Sequence, residues 1–136
     1  MRVLALSLLL AGPPALAETP LSAEAFDTLT QGRTMTWAEY GQVYGVEHYL
    51  PDRRVRWTVL GDDCITGHWY PKGPAICFQY DDRPDPVCWT FTKEQNGTQG
   101  PTGLLARHTS TPPDADPVVI RETLEPMAYF GPRVGA

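Results

Sequence analysis

Turn-forming residues interrupt this chain at short, near-even intervals, and nothing else in it narrows the fold so far. The breaks are Gly41, Pro51-Asp52, Gly61-Asp62-Asp63, Pro71–Pro74, Asp81–Pro86, Asn96-Gly97 to Gly100-Pro101, and Thr111–Asp116. Glycine, proline, aspartate and asparagine each favour a turn for a distinct stereochemical reason. Between them lie runs at about 33–40, 42–50, 53–60, 64–70, 75–81, 87–93, 103–109 and 117–124, rich in aromatic and β-branched residues. Runs of that length and composition are strands, and strands joined by short turns are antiparallel. A meander of about eight strands removes its exposed edges most fully by closing on itself. The expected fold is therefore all-β, a small closed or nearly closed barrel, with a two-sheet sandwich as the alternative. One helix is legible. Ser22 can cap Ala23–Gln31, Glu24 suits the first turn, Gly32 can end it, and Phe26 and Leu29 would dock it across one end of the barrel.

The stretch Cys64–Phe91 holds all three cysteines and two of the four tryptophans. Alternation along a strand groups Ile65, Gly67 and Trp69, then Ile76, Phe78 and Tyr80, then Val87, Trp89 and Phe91, as one core surface. The cysteines fall on the opposite parity, beside Thr66, His68, Gln79 and Thr90, which predicts the outer face. A hairpin closing near Asp81–Arg83 sets Cys77 almost opposite Cys88, within disulfide reach. A bridge is predicted there, worth roughly 3 kcal/mol on the chain-entropy account. The Pro71–Pro74 turn is expected to pair Cys77 with about His68. Cys64 is then a free thiol or a competitor for one member of the pair.

The N-terminal residues MRVLALSLLLAGPPALA combine Arg2, an apolar run from Val3 to Ala11, Pro13-Pro14 and a small-residue ending. That pattern predicts a secretory signal peptide cut between Ala17 and Glu18, and hence a periplasmic or secreted protein in an oxidising compartment. The apolar run is too short to span a bilayer. Residues 18–136 fit a single β-rich domain, with residues 131–136 expected as a disordered tail. The formal net charge of −5 offers no basic stripe for nucleic acid.

A hairpin is also expected over Tyr44–Leu50 and Val55–Trp57, with Arg54 and Arg56 turned to water. A basic patch for an acidic partner is one reading of these arginines. Ion pairing with Asp52, Asp62 and Asp63 is the other, and the more ordinary one.

Several of these motifs recur together elsewhere. Gly32-Arg33-Thr34, Tyr44-Gly45 to Tyr49-Leu50-Pro51, Cys64-Ile65-Thr66-Gly67-His68-Trp69-Tyr70, Ile76-Cys77-Phe78 and Cys88-Trp89 resemble a family of small secreted bacterial proteins of unknown function. The resemblance runs from about Leu21 to the end and implies an exported, small, β-rich chain, with no activity to carry over. It also implies that Cys64 lacks a partner here, since some relatives carry a further cysteine where this chain reads Met127-Ala128-Tyr129-Phe130.

Chemical motifs are sparse. His48, His68 and His108 lie on different strands without metal-ligand spacing. His68 beside Cys77, with Cys64 on the same face, would suit a soft metal, but a disulfide would withdraw Cys77. Asp62-Asp63 and Asp81-Asp82 fall in turns, where carboxylates bond the local backbone. No nucleophile elbow, phosphate loop or cofactor motif is present in the sequence. The expectation is a non-catalytic chain without cofactor, serving one of two roles. It binds a small apolar ligand in the barrel, where Trp37, Trp57, Trp69, Trp89, Phe78, Phe91 and Tyr80 either line a cavity or fill the core. Otherwise it is a protein-interaction module, such as an inhibitor of an envelope lysozyme or protease, presenting Asp81–Pro86 or Gly131–Ala136.

Overall fold

Bulky side chains that alternate along eight strands can share one interior only if the sheet curls shut, and the computed structural model has that closure. It describes residues 11–12, 18–95 and 103–127. The leader and its cleavage point, the turn over residues 96–101 and the tail 131–136 lie outside the described residues. After helix α1 (Ala23–Thr30) come β1 (Thr34–Glu39), β2 (Gln42–Tyr49), β3 (Arg54–Val59) and β4 (Ile65–Lys72). Then follow β5 (Ala75–Tyr80), β6 (Val87–Lys93), β7 (Leu104–His108) and β8 (Val118–Thr123). Each strand pairs antiparallel with the next, and β8 returns to β1 through pairs such as Thr34↔Thr123 and Trp37↔Ile120. The barrel and the short helix α1 are those expected. The sandwich is not formed.

The helix forms where the capping chemistry directs it. The Ser22 hydroxyl oxygen accepts the Ala25 N–H at 3.1 Å, and Gly32, with φ +79°, turns the chain out of the helix. The Leu21 N–H donates to the Phe91 carbonyl at 2.7 Å, and the Gly32 N–H to the Tyr49 carbonyl at 2.8 Å. These bonds tie both flanks of α1 to different strands. Phe26, fully buried, enters the barrel and meets Trp69 and Tyr49 edge-on, with centroids 5.1 and 5.7 Å away, and packs against Phe91 at 4.5 Å. One end of the barrel is thereby plugged. The β1–β2, β3–β4, β5–β6 and β7–β8 connections gather at the other end, called here the hairpin end.

The predicted bridge is present. Cys77 and Cys88 are direct cross-strand partners with Cα atoms 4.0 Å apart, and their sulfurs are bonded. Cys64 is free and partly exposed. Two expectations about this stretch need correction. Pro71 and Lys72 belong to β4, so the turn tightens to Gly73-Pro74 and Lys72 pairs with Ala75. The register then shifts, Cys77 lies opposite Tyr70, and His68 lies opposite Gln79. Cys77 also has outward parity but no exposure, because Tyr70 and Cys88 stand on either side of it in the sheet.

Two outcomes follow from this architecture. Replacing Cys77 and Cys88 together by serine should lower unfolding free energy by about 3 kcal/mol, the loop-closure value for residues 11 apart, measurable by urea titration. Phe26→Ala should cost about 3–5 kcal/mol through lost burial and the cavity left behind, with thermal unfolding as the check.

Candidate functional site

At the hairpin end the interior is not sealed. Trp37, Tyr44, Trp57, Tyr80, Arg83, Val87 and Trp89 line a cup of about 120 Å³. Local backbone features place these rings. The β1–β2 register shifts between Trp37 and Ala38, so Gly45 pairs with Trp37 and Val43 with Ala38, leaving Tyr44 as the extra residue of a bulge. Bulges re-aim side chains, and Tyr44 comes to lie 6.0 Å from the Trp57 ring on the cup wall. Gly45 makes room for Trp57: a Cβ there would fall inside the indole. Gly67 does the same for Tyr80, whose ring and backbone stand where a side chain would project.

The tryptophans meet edge to face, Trp37 with Trp57 at 5.7 Å and Trp37 with Trp89 at 5.2 Å, and Trp89 with His108 at 5.0 Å. Edge-to-face contacts suit the ring quadrupoles and hold the walls in place. At the rim the Arg83 guanidinium lies over the Tyr80 ring, 5.2 Å from its centroid, while its Nε bonds Asp82 at 3.0 Å. Tyr80 stacks on Phe78 below.

Beneath the cup is a carboxyl group. Glu47 is fully buried opposite Met35 on one side and Trp57 on the other. The Tyr80 hydroxyl lies 3.0 and 3.2 Å from its two oxygens. Burial drives the Glu47 carboxyl well above the usual carboxylate range, against the smaller opposing effect of the Tyr80 bond, so burial favours its neutral form. Burial likewise raises the Tyr44, Tyr49 and Tyr80 hydroxyls, with Glu47 adding to each. The Trp37 indole N–H is buried and has no hydrogen-bond partner among the described residues.

The seven aromatics named from the sequence divide between two jobs. Trp69, Phe78 and Phe91 are buried core around Phe26, while Trp37, Trp57, Tyr80 and Trp89 reach the cup. Tyr44 on the wall and Glu47 beneath it were not singled out. The bulge at Tyr44 had no sequence signal, but Glu47 shares its strand parity with buried Tyr49, which points inward. His68 is exposed and away from Cys77, so the soft-metal constellation is not assembled. Among the described residues no three His, Cys, Asp or Glu side chains converge as metal ligands. Burial raises the Cys64 thiol above its ordinary value, with a smaller opposing pull from Arg56, which leaves it a poor nucleophile. No helix among the described residues is long and apolar enough to cross a membrane. Comparison of the chain with family models, curated proteins and solved structures finds no match.

Because the Glu47 carboxyl is held above its unfolded value near 4.5, the native state binds a proton the unfolded chain gives up. Stability is greatest below that value and falls as pH rises toward the native-state value, by about 1.4 kcal/mol per pH unit. Glu47→Gln, which keeps a partner for Tyr80, should flatten this slope and raise stability at neutral pH. Urea midpoints at several pH values check it.

Proposed function

We propose that this chain is an exported, non-catalytic protein-interaction module that docks a partner at its hairpin end, the cup receiving one apolar side chain. The carrying observation is the apolar surface exposed on hairpins at the same end of the barrel. Tyr40 is 86 % exposed, Leu60 54 %, Val43 42 % and Val59 41 %. These residues sit on the β1–β2 and β3–β4 hairpins, which adjoin through the Gly45↔Val59 pair and the bond from the Leu60 N–H to the Tyr44 carbonyl. A contiguous exposed apolar patch on a small domain marks an interaction site. Tyr40 holds a left-handed backbone, φ 47°, at the tip of its turn. That conformation is uncommon outside glycine and asparagine, and it projects the ring into solvent.

A cup of about 120 Å³ is small beside the roughly 300–1,000 Å³ of small-molecule pockets, which favours a single side chain over a carried ligand. The Asp81–Pro86 turn, which contributes Arg83 to the rim, is exposed, and this suits an inhibitor of an envelope hydrolase as one form of the module. Export is supported by the leader-like N-terminus, by the disulfide, which persists in oxidising compartments, and by the resemblance to small secreted bacterial proteins.

A photo-crosslinking amino acid at Leu60 should give one discrete adduct in the cell envelope, and the same group at Lys72, at the plugged end, should give none. Trp89→Ala should abolish the Leu60 adduct while the far-ultraviolet spectrum of the barrel is kept. Equal adducts from both positions would remove the case for docking at this end.

A further inference from the structure

The outer face of β2, β3 and β4 carries a second surface, unrelated to the cup. The register sets His48, Arg56 and Thr66 in one cross-strand row and Arg54, His68 and Gln79 in another. Ion pairing with Asp52, Asp62 and Asp63, expected from the sequence, does not occur. Among the described residues the ion pairs are Arg33–Glu122, Arg83–Asp82 and Arg121–Glu94. Among the described residues the Arg54 side chain donates to the Pro51 carbonyl, at 3.4 Å, and nearby Arg53 lies over Trp69, 4.8 Å from its ring centre. Three arginines without a carboxylate partner are thus gathered in one region of a chain whose net charge is −5. Such segregation is unfavourable for the isolated domain and is relieved by an anionic partner.

The surface is also shaped. Leu50, Arg54, Arg56, Thr66, His68 and Asp81 border a cleft of about 370 Å³. Asp81 is its one carboxylate, and the Thr66 hydroxyl donates to it at 2.5 Å. The other outward groups are basic or neutral. The His48 Nδ1 lies 2.8 Å from the Thr34 hydroxyl, which fixes the ring beside Arg56.

We infer that this face binds an acidic segment of a partner protein in extended conformation, laid along β3 with its carboxylates at alternate positions. Arg54 and Arg56 are two residues apart on one strand, so their side chains leave the same face about 6.6–6.8 Å apart. An extended peptide repeats its own side chains at that spacing, so alternate Asp or Glu residues meet successive guanidinium groups, each able to take a carboxylate through two N–H donors. A closed barrel offers no free strand edge here, so side-chain charge and not backbone pairing carries the recognition. Being electrostatic, it weakens as salt shortens the screening length.

The probe is a labelled octapeptide alternating glutamate and threonine, set against one of the same composition with its glutamates consecutive. At low salt the alternating peptide should bind at least about tenfold more tightly than the block peptide, and Arg54→Glu with Arg56→Glu should weaken it by about tenfold or more. Arg54→Gln with Arg56→Gln should give an intermediate loss, and Trp89→Ala should leave binding unchanged. Equal affinity for the two peptides, or binding indifferent to the arginine changes, would overturn the inference. So would phosphatidylglycerol vesicles binding in an arginine-dependent way while neither peptide does, because the face would then read a lipid surface.

Discussion

The structure depends on one aromatic ring arriving from outside the sheet. Closing eight strands leaves an interior that must be filled, and Phe26 fills it from the helix, not from a strand. Its ring meets Tyr49 of β2, Trp69 of β4, Phe78 of β5 and Phe91 of β6, so a single side chain joins both halves of the barrel. The helix has only eight residues and would be marginal alone. It is held by the Ser22 cap, by the bonds to Phe91 and Tyr49, and by burial of Phe26. The two ends of the barrel differ as a direct result. With one end closed by α1, the unfilled space lies at the hairpin end, which is where docking is proposed.

Strand positions were legible in the sequence because two signals agreed, turn residues at near-even spacing and inward alternation of bulky groups between them. The pairing of Cys77 with Cys88 was legible for the same reason, since only the β5–β6 register was needed. Features that depend on a local exception to the pattern were not. Pro71 reads as a turn residue, yet it is accommodated in β4 opposite Ile76, and that moved Cys77 from His68 to Tyr70. The Tyr44 bulge breaks the alternation on which face assignments rest, and its ring lines the cup. Part of the site is therefore hidden from pattern reading: Trp37, Trp57, Tyr80 and Trp89 carry an aromatic signal and Glu47 one of parity, while Tyr44 is placed by the bulge.

Glu47 shows how a polar group in such an interior constrains its surroundings. An ionised carboxylate there would face a large desolvation cost without a cationic partner, so burial favours the protonated form, which leans on the Tyr80 hydroxyl. Tyr80 in turn needs Gly67 beside it, and Trp57 above Glu47 needs Gly45. Two glycines, a tyrosine and a tryptophan are thereby tied to one acid. Their common product is the shape of the cup, whose walls are set by close packing and not by loop conformation. A partner docking as proposed would meet a surface that is already ordered, which lowers the entropic cost of binding.

The apolar hairpin tips and the arginine face are chemically distinct, and their geometry keeps them separate. Both involve β2 and β3, but the cup opens at the strand ends through inward parity, whereas Arg54 and Arg56 take outward parity on the barrel wall. A closed barrel can serve two surfaces in this way because alternation assigns neighbouring residues of one strand to different faces: Val55 is buried in the core while Arg54 and Arg56 flank it outside. Charge changes on the wall therefore leave the aromatic packing untouched, and the two proposed contacts can be altered one at a time. A partner that engages both would present an apolar side chain to the hairpin end and an acidic stretch along β3, and its affinity would respond to salt only through the second contact.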